Sequence, residues 1–246
     1  MNKKVYMLLG AVLFSVFVAL LIVSSLIAIS QKNDMVAETT DCEIAGILLD
    51  SDTTVTLYKG IQIADSSQFE KLNLGIVNFD VSDSGNILIA YTNNRIAVYD
   101  ENYHFLSGFL VTNGSYYYVQ WNGNSIQIVF TRGSVCLEVS LQGDMKRGMK
   151  VDSNNGKLFE NLEKKNNIST KDGYTFRAEK SENPLIVMFG NHYLKLIRIS
   201  PDGFETILYN ADSPSLGRSL FVLIGVAFFV VIVLAGIYYK NKKTNK

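Results

Sequence analysis

The side chains able to do chemistry are few and widely spaced. His104 and His192 both fall in or beside runs that read as turns, and their separation fits no metal-ligand spacing. The members of a Ser-His-Asp triad need not be close in sequence, but no G-x-S-x-G elbow marks a nucleophile. Asp80 with Asp83, and Asp100 with Glu101, are the carboxylates that could share acid and base duties in a glycosidase. Their settings, FDVSDSGN and VYDENYH, read instead as hairpin turns, where Asp and Asn bond their own backbone. The stretch from Asp152 to Gly156 has the composition of a calcium loop, but Gly156 stands where the third ligand belongs. No catalytic residue, metal ligand or cofactor is assigned on these grounds.

Binding is better served. Tyr116, Tyr117 and Tyr118, with Trp121, form the most suggestive surface candidate. On a strand, alternate tyrosines point to opposite faces, and an exposed aromatic offers large, rigid area to a sugar or protein partner. Cys42 and Cys136 form a candidate disulfide if the segment holding them lies in an oxidising compartment. In the run VCLEVSL, Cys136 alternates with Val135 and Leu137 and shares a face with Glu138. Sequons at Asn113 and Asn167 matter only in a eukaryotic host, and the Asn-, Lys- and Ile-rich composition reads as bacterial.

Strands must position these residues. Three stretches repeat one order of features: Asn86 to Phe109, Asn124 to Met149, and Asn183 to Leu208. Each has an apolar strand, a tight polar turn, an alternating strand, a second turn and a final strand. Hairpin turns are expected at Asn93-Asn94, Arg132-Gly133, Asn191-His192 and Pro201-Asp202-Gly203. A further strand precedes each stretch, at Val77, Tyr116 and Tyr174, which makes the unit four antiparallel strands. The spacing is 39 residues from Ile87 to Ile126 and 59 from Ile126 to Leu185. A polar insertion at about 151–172 accounts for the difference, with Leu158, Phe159 and Leu162 spaced like one side of a short helix. A weaker first unit is expected from Ile44 to Gly75, with strands in IAGILLD, TVTLYKG and IQIAD.

Four strands in about 40 residues is the period of a propeller blade. The runs ILIAYTNNRIAVYDENYHFL and LIRISPDGFETIL resemble β-propeller repeats of the broad NHL or WD40-like type. The resemblance covers Val77 to Asn210, lacks the WD dipeptide and Gly-His signature, and implies architecture only. So few units leave open a small ring, a partial ring completed by a partner, or two packed sheets.

The ends differ from the middle. Residues 5–29 and 220–239 carry no charge, and at 1.5 Å per residue each is about long enough to cross a hydrocarbon core as a helix. The expected organisation is a tail at 1–4, a transmembrane helix at 5–29 and a stalk at 30–43. A β-rich domain at 44–211, a linker at 212–219, a second transmembrane helix at 220–239 and a tail at 240–246 follow. Lys3, Lys4, Lys240, Lys242, Lys243 and Lys246 occupy the tails, whereas every Asp and Glu lies between Asp34 and Asp212. The positive-inside rule then places both tails in the cytoplasm and the domain outside it, at the cell membrane. The tails hold six of the 23 basic residues, so the middle is acidic by about six charges, which argues against nucleic acid.

The sequence therefore predicts an all-β extracytoplasmic domain of propeller-like repeats flanked by two transmembrane helices. Its expected work is binding to an envelope protein or glycan. The alternatives are a carbohydrate hydrolase of the envelope, or an accessory subunit acting through its helices.

Overall fold

The computed structural model describes residues 44, 46–69, 73–112, 116–151, 156–165, 167–170, 172–181, 192–211, 220, 224 and 225. Contacts divide the chain into two compact units. Val36–Lys180 with His192–Ala211 forms the larger. In the other, only Ser181, Leu220, Ile224 and Gly225 are described.

The larger unit carries fourteen strands among the described residues. The first four-stranded set is β3 (Ile76–Val81), β4 (Ile87–Tyr91), β5 (Arg95–Tyr99) and β6 (Phe105–Val111). The second is β7 (Tyr117–Asn122), β8 (Ser125–Phe130), β9 (Val135–Val139) and β10 (Met145–Val151). Both are antiparallel meanders, as the repeats predict. A third set contains β11 (Asn167–Ser169), β12 (Thr175–Lys180), β13 (Tyr193–Ile199) and β14 (Glu205–Asn210).

One turn recurs and explains much of this regularity. At Ser82–Asn86, Asp100–His104, Ser140–Asp144, Thr170–Tyr174 and Ser200–Phe204, the first residue's N–H donates to the fifth carbonyl. The fourth N–H donates back to the first carbonyl. The fourth position needs a left-handed backbone: Gly85, Gly143, Gly173 and Gly203 supply it, and Tyr103 adopts it at φ 65°. The first position is Ser, Thr or Asp, and the side chain of Ser82, Asp100, Ser140 or Ser200 accepts the fifth N–H.

The expected all-β, propeller-like domain flanked by two transmembrane helices is corrected on four points. First, the described residues include two helices within the domain, α1 (Ser51–Tyr58) and α2 (Gly156–Lys164). None of the described helices is long and apolar enough to cross a membrane. The uncharged runs lie outside the described residues, except for Leu220, Ile224 and Gly225. Second, the strands form sheets of five and nine rather than a closed ring of blades. β13 joins β3 through the single pair Tyr193 and Ile76.

Third, the described residues of the weaker first unit do not form a set of their own. β1 (Gly46–Leu48) extends the second sheet beyond β10, whereas β2 (Ile61–Ile63) extends the first beyond β6. Between them TVTLY is helical despite its β-branched residues, because Asp50 caps the helix. Its carboxylate accepts from the Thr53 N–H at 2.8 Å and the Thr53 hydroxyl at 2.7 Å. Fourth, β12 pairs directly with β13. The strand expected at Asn183 and the turn residue Asn191 lie outside the described residues.

Three apolar clusters hold the unit together. Val119, Ile128, Phe130 and Leu137 of the second set pack on Leu88, Ile96, Val98 and Phe109 of the first. The other face of the first set, with Phe79, Ile89 and Tyr91, meets Phe176, Ala178 and Leu196. The other face of the second set, with Tyr118, Val129, Cys136 and Met149, is covered by Leu158 and Leu162 of α2. A short helix thus sits where a ring would need another blade.

The seam between the first and second sets is polar. β3 and β7 belong to different sheets, yet the Asn78 side chain bonds β7 as a neighbouring strand would. Its Nδ2 donates to the Val119 carbonyl at 2.8 Å and its Oδ1 accepts from the Val119 N–H at 3.0 Å. Two residues along, Asp80 Oδ2 accepts from the Trp121 N–H at 2.7 Å. Replacing Asn78 with Ala would leave both Val119 backbone groups buried without partners, at about 1–3 kcal/mol each. Urea unfolding of Asn78→Ala is expected to show a loss of about 2–4 kcal/mol; a change under about 0.5 kcal/mol would mean the seam does not depend on this amide.

Candidate binding face

The face of β7 to β10 that carries α2 has two rows. Strand register sets Tyr118 opposite Val129, Val129 opposite Cys136, and Cys136 opposite Met149. This is the apolar row under α2. Two residues along each strand, the register sets Gln120 opposite Gln127, Gln127 opposite Glu138, and Glu138 opposite Arg147.

That second row is polar across all four strands, and Gln120, Gln127 and Glu138 are buried. Burying such groups is costly unless they bond one another. Gln120 Nε2 donates to Gln127 Oε1 at 2.8 Å. Arg147 Nε donates to Glu138 Oε2 at 2.7 Å, and Asn122 Nδ2 donates to the same oxygen at 3.2 Å. Lys146 Nζ donates to the Ser125 hydroxyl. Burial pushes the Glu138 carboxyl up, but hydrogen bonds from Arg147, Asn122 and Ser125 outweigh it and hold the group below its ordinary range. The row ends in solvent at Arg147, whose side chain is 46% exposed. Its exposed end offers an oriented guanidinium, the Lys146 ammonium and the Asn122 carboxamide.

The tyrosine run divides as alternation requires. Tyr116 is 51% exposed and meets Tyr118 edge-on at 5.7 Å between ring centres. Tyr117 is buried on the opposite face, its hydroxyl donating to the Arg95 carbonyl at 3.3 Å. Tyr118 is buried beneath α2. Trp121 is half-buried, and its Nε1 is, among the described residues, a buried polar atom without a hydrogen-bond partner. The four aromatics are therefore close in sequence but do not form one surface.

Cys136 is a free, buried thiol that burial, then the charge of Glu138, pushes up to about 12. Cys42 lies outside the described residues, as does the loop at 152–155. Asp80 is not a turn residue but a buried strand residue, paired with Lys165 Nζ at 2.7 Å. Asp100 does serve its turn, accepting from the N–H groups of Asn102 and His104. His104 is exposed, with Nδ1 3.1 Å from Asp100 Oδ2. His192 sits apart, before β13, its imidazole held toward the neutral form by burial and then by Lys180.

The polar row was missed in the sequence, although each strand shows its signal. YYVQWN, SIQIVF and VCLEV each carry Gln or Glu within an apolar frame, and MKRGMKV adds the arginine.

No protein family matches the chain, and no curated protein matches it. Among solved structures, a streptogramin B lyase aligns at 11% identity with a TM-score of 0.29, over 61% of this chain and 45% of that one. A protein of unknown function from Bacteroides caccae aligns at 13% identity with a TM-score of 0.26, over 53% of this chain and 44% of its own. The chain thus spans less than half the length of either structure.

Because the Glu138 carboxyl is depressed when folded, it stabilises the fold above the ordinary glutamate range. That contribution is lost as pH falls through the folded value. Wild-type stability is expected to fall more steeply below about pH 4 than that of Glu138→Gln. Parallel pH profiles in urea titrations would show that the row places no demand on the charge.

Proposed function

We propose that this chain is a membrane-anchored extracytoplasmic binding module without intrinsic catalysis, and that its contact face is the polar row ending at Arg147. The supporting observation is the Glu138–Arg147 pair. A buried carboxylate orients a half-exposed guanidinium, so its ordering entropy is spent before a partner arrives. Such a fork suits a carboxylate or another planar anion on an envelope protein or glycan. Asn122 and Lys146 flank it with further donors. The carboxylates best placed for chemistry have structural tasks: Asp80 holds Lys165 and the Trp121 N–H, and Glu138 holds Arg147. Location outside the cytoplasm, at the cell membrane, rests on the sequence: two uncharged runs, tails whose charged residues are all lysines, and an acidic middle.

The test is crosslinking in the host, purification of the full chain in mild detergent and identification of partners by mass spectrometry. One reproducible envelope partner or glycan is expected with the wild type and its recovery should fall at least tenfold with Arg147→Glu. Equal recovery by the variant, or a wild-type chain that comes alone, would overturn the assignment.

A further inference from the structure

α2 has nine residues, fewer than the roughly 12–15 at which an isolated helix becomes even marginal in water. Its helicity therefore depends on the surface beneath it. The apolar contact beneath it is small: Leu158 and Leu162 are buried and Phe159 half-buried, and the Tyr193 hydroxyl donates to the Glu163 carbonyl at 3.4 Å. Burying two leucines does not by itself offset the entropy of ordering nine residues.

A second polar tie is a buried ion pair. Lys165, just past the helix, places Nζ 2.7 Å from Asp80 Oδ1, with both side chains largely buried. Asp80 Oδ1 also accepts from the Val81 N–H at 2.9 Å, and Oδ2 from the Trp121 N–H at 2.7 Å. The carboxylate that locks α2 also holds the seam between the sheets. It keeps two backbone donors when the lysine leaves, so departure of α2 does not strand a bare buried charge.

We propose that α2 is a releasable cover: docking, helix formation and locking onto Asp80 are one event, and α2 lifts as a unit while the sheets stay packed. Release bares Tyr118, Val129, Cys136 and Met149 beside the polar row, turning two separate rows into one amphipathic face. The cover does not depend on the polar row being a contact face.

Cys136 is a built-in reporter, being fully buried beneath the cover. Its thiol rises to about 12 chiefly through burial, so it is inert while covered and regains ordinary reactivity once bared. In the full chain carrying Cys42→Ser it is the sole thiol. N-ethylmaleimide labelling of that chain, followed by mass spectrometry with the β signal in circular dichroism monitored alongside, tests the cover. Labelling is expected while the β signal is native, and at least tenfold faster in Lys165→Met. An unchanged rate in Lys165→Met, or labelling that rises only as the β signal is lost, would overturn the cover. Should Lys165→Met fail to fold, Leu162→Ala, which thins the apolar contact and leaves the seam intact, carries the same expectation and the same refutation.

Discussion

The larger unit depends on two side chains of β3 behaving as if they were backbone. Sheets normally bind one another through apolar faces, and their inner edges must still satisfy buried N–H and C=O groups. Here Asn78 presents one acceptor and one donor to Val119, and Asp80 presents an acceptor to Trp121, at the two-residue spacing of a strand. The β7 edge is thereby paired without β7 joining the sheet of β3. The first and second sets can pack face to face around Phe109 and Ile128 while their inner strands remain in register.

The second sheet uses its two faces differently. One is apolar across β7, β8 and β9, with Lys150 of β10 at its margin, and faces the first set. The other changes character along the strands, from the row under α2 to the row from Gln120 to Arg147. The change has a physical logic, because a helix with two buried leucines can cover only one row. The next must be satisfied by its own cross-strand bonds, which the carboxamide pair and the Glu138–Arg147 pair provide. The Glu138 carboxylate keeps its charge there because three donors converge on it, not because it is solvated.

Local chemistry was legible and long-range pairing was not. The four-stranded meanders were readable because alternation and the Gly-terminated turns are local signals: FDVSDSGN and PDGF close hairpins as expected. The amphipathic insertion helix was readable from Leu158, Phe159 and Leu162. TVTLY has the β-branched content of a strand, whereas a single capping Asp50 decides for a helix. β1 and β2 were placed in one unit because they are neighbours in sequence, although each completes a different sheet far along the chain. Asp80 was read as a turn residue from the Ser82–Asn86 turn beside it, and nothing local announces that its partners are Trp121 and Lys165. The tyrosine run is a cluster in sequence, but strand alternation sends Tyr117 and Tyr118 into different cores.

The excursion from β1 through α1 to β2 also sets an order of assembly. Ile61 pairs with Val111 and Gly46 with Val151, so these early residues find their places only after much later chain has been made. During synthesis, β10 must therefore stand as the open margin of its sheet until the start of the chain returns to it. An open margin is a template for pairing with a neighbouring nascent chain. Lys146, Arg147 and Lys150 lie on that strand, and their charge repels such a partner through the interval. The segment made first closes the sheet made later, and the basic strand guards the gap in between.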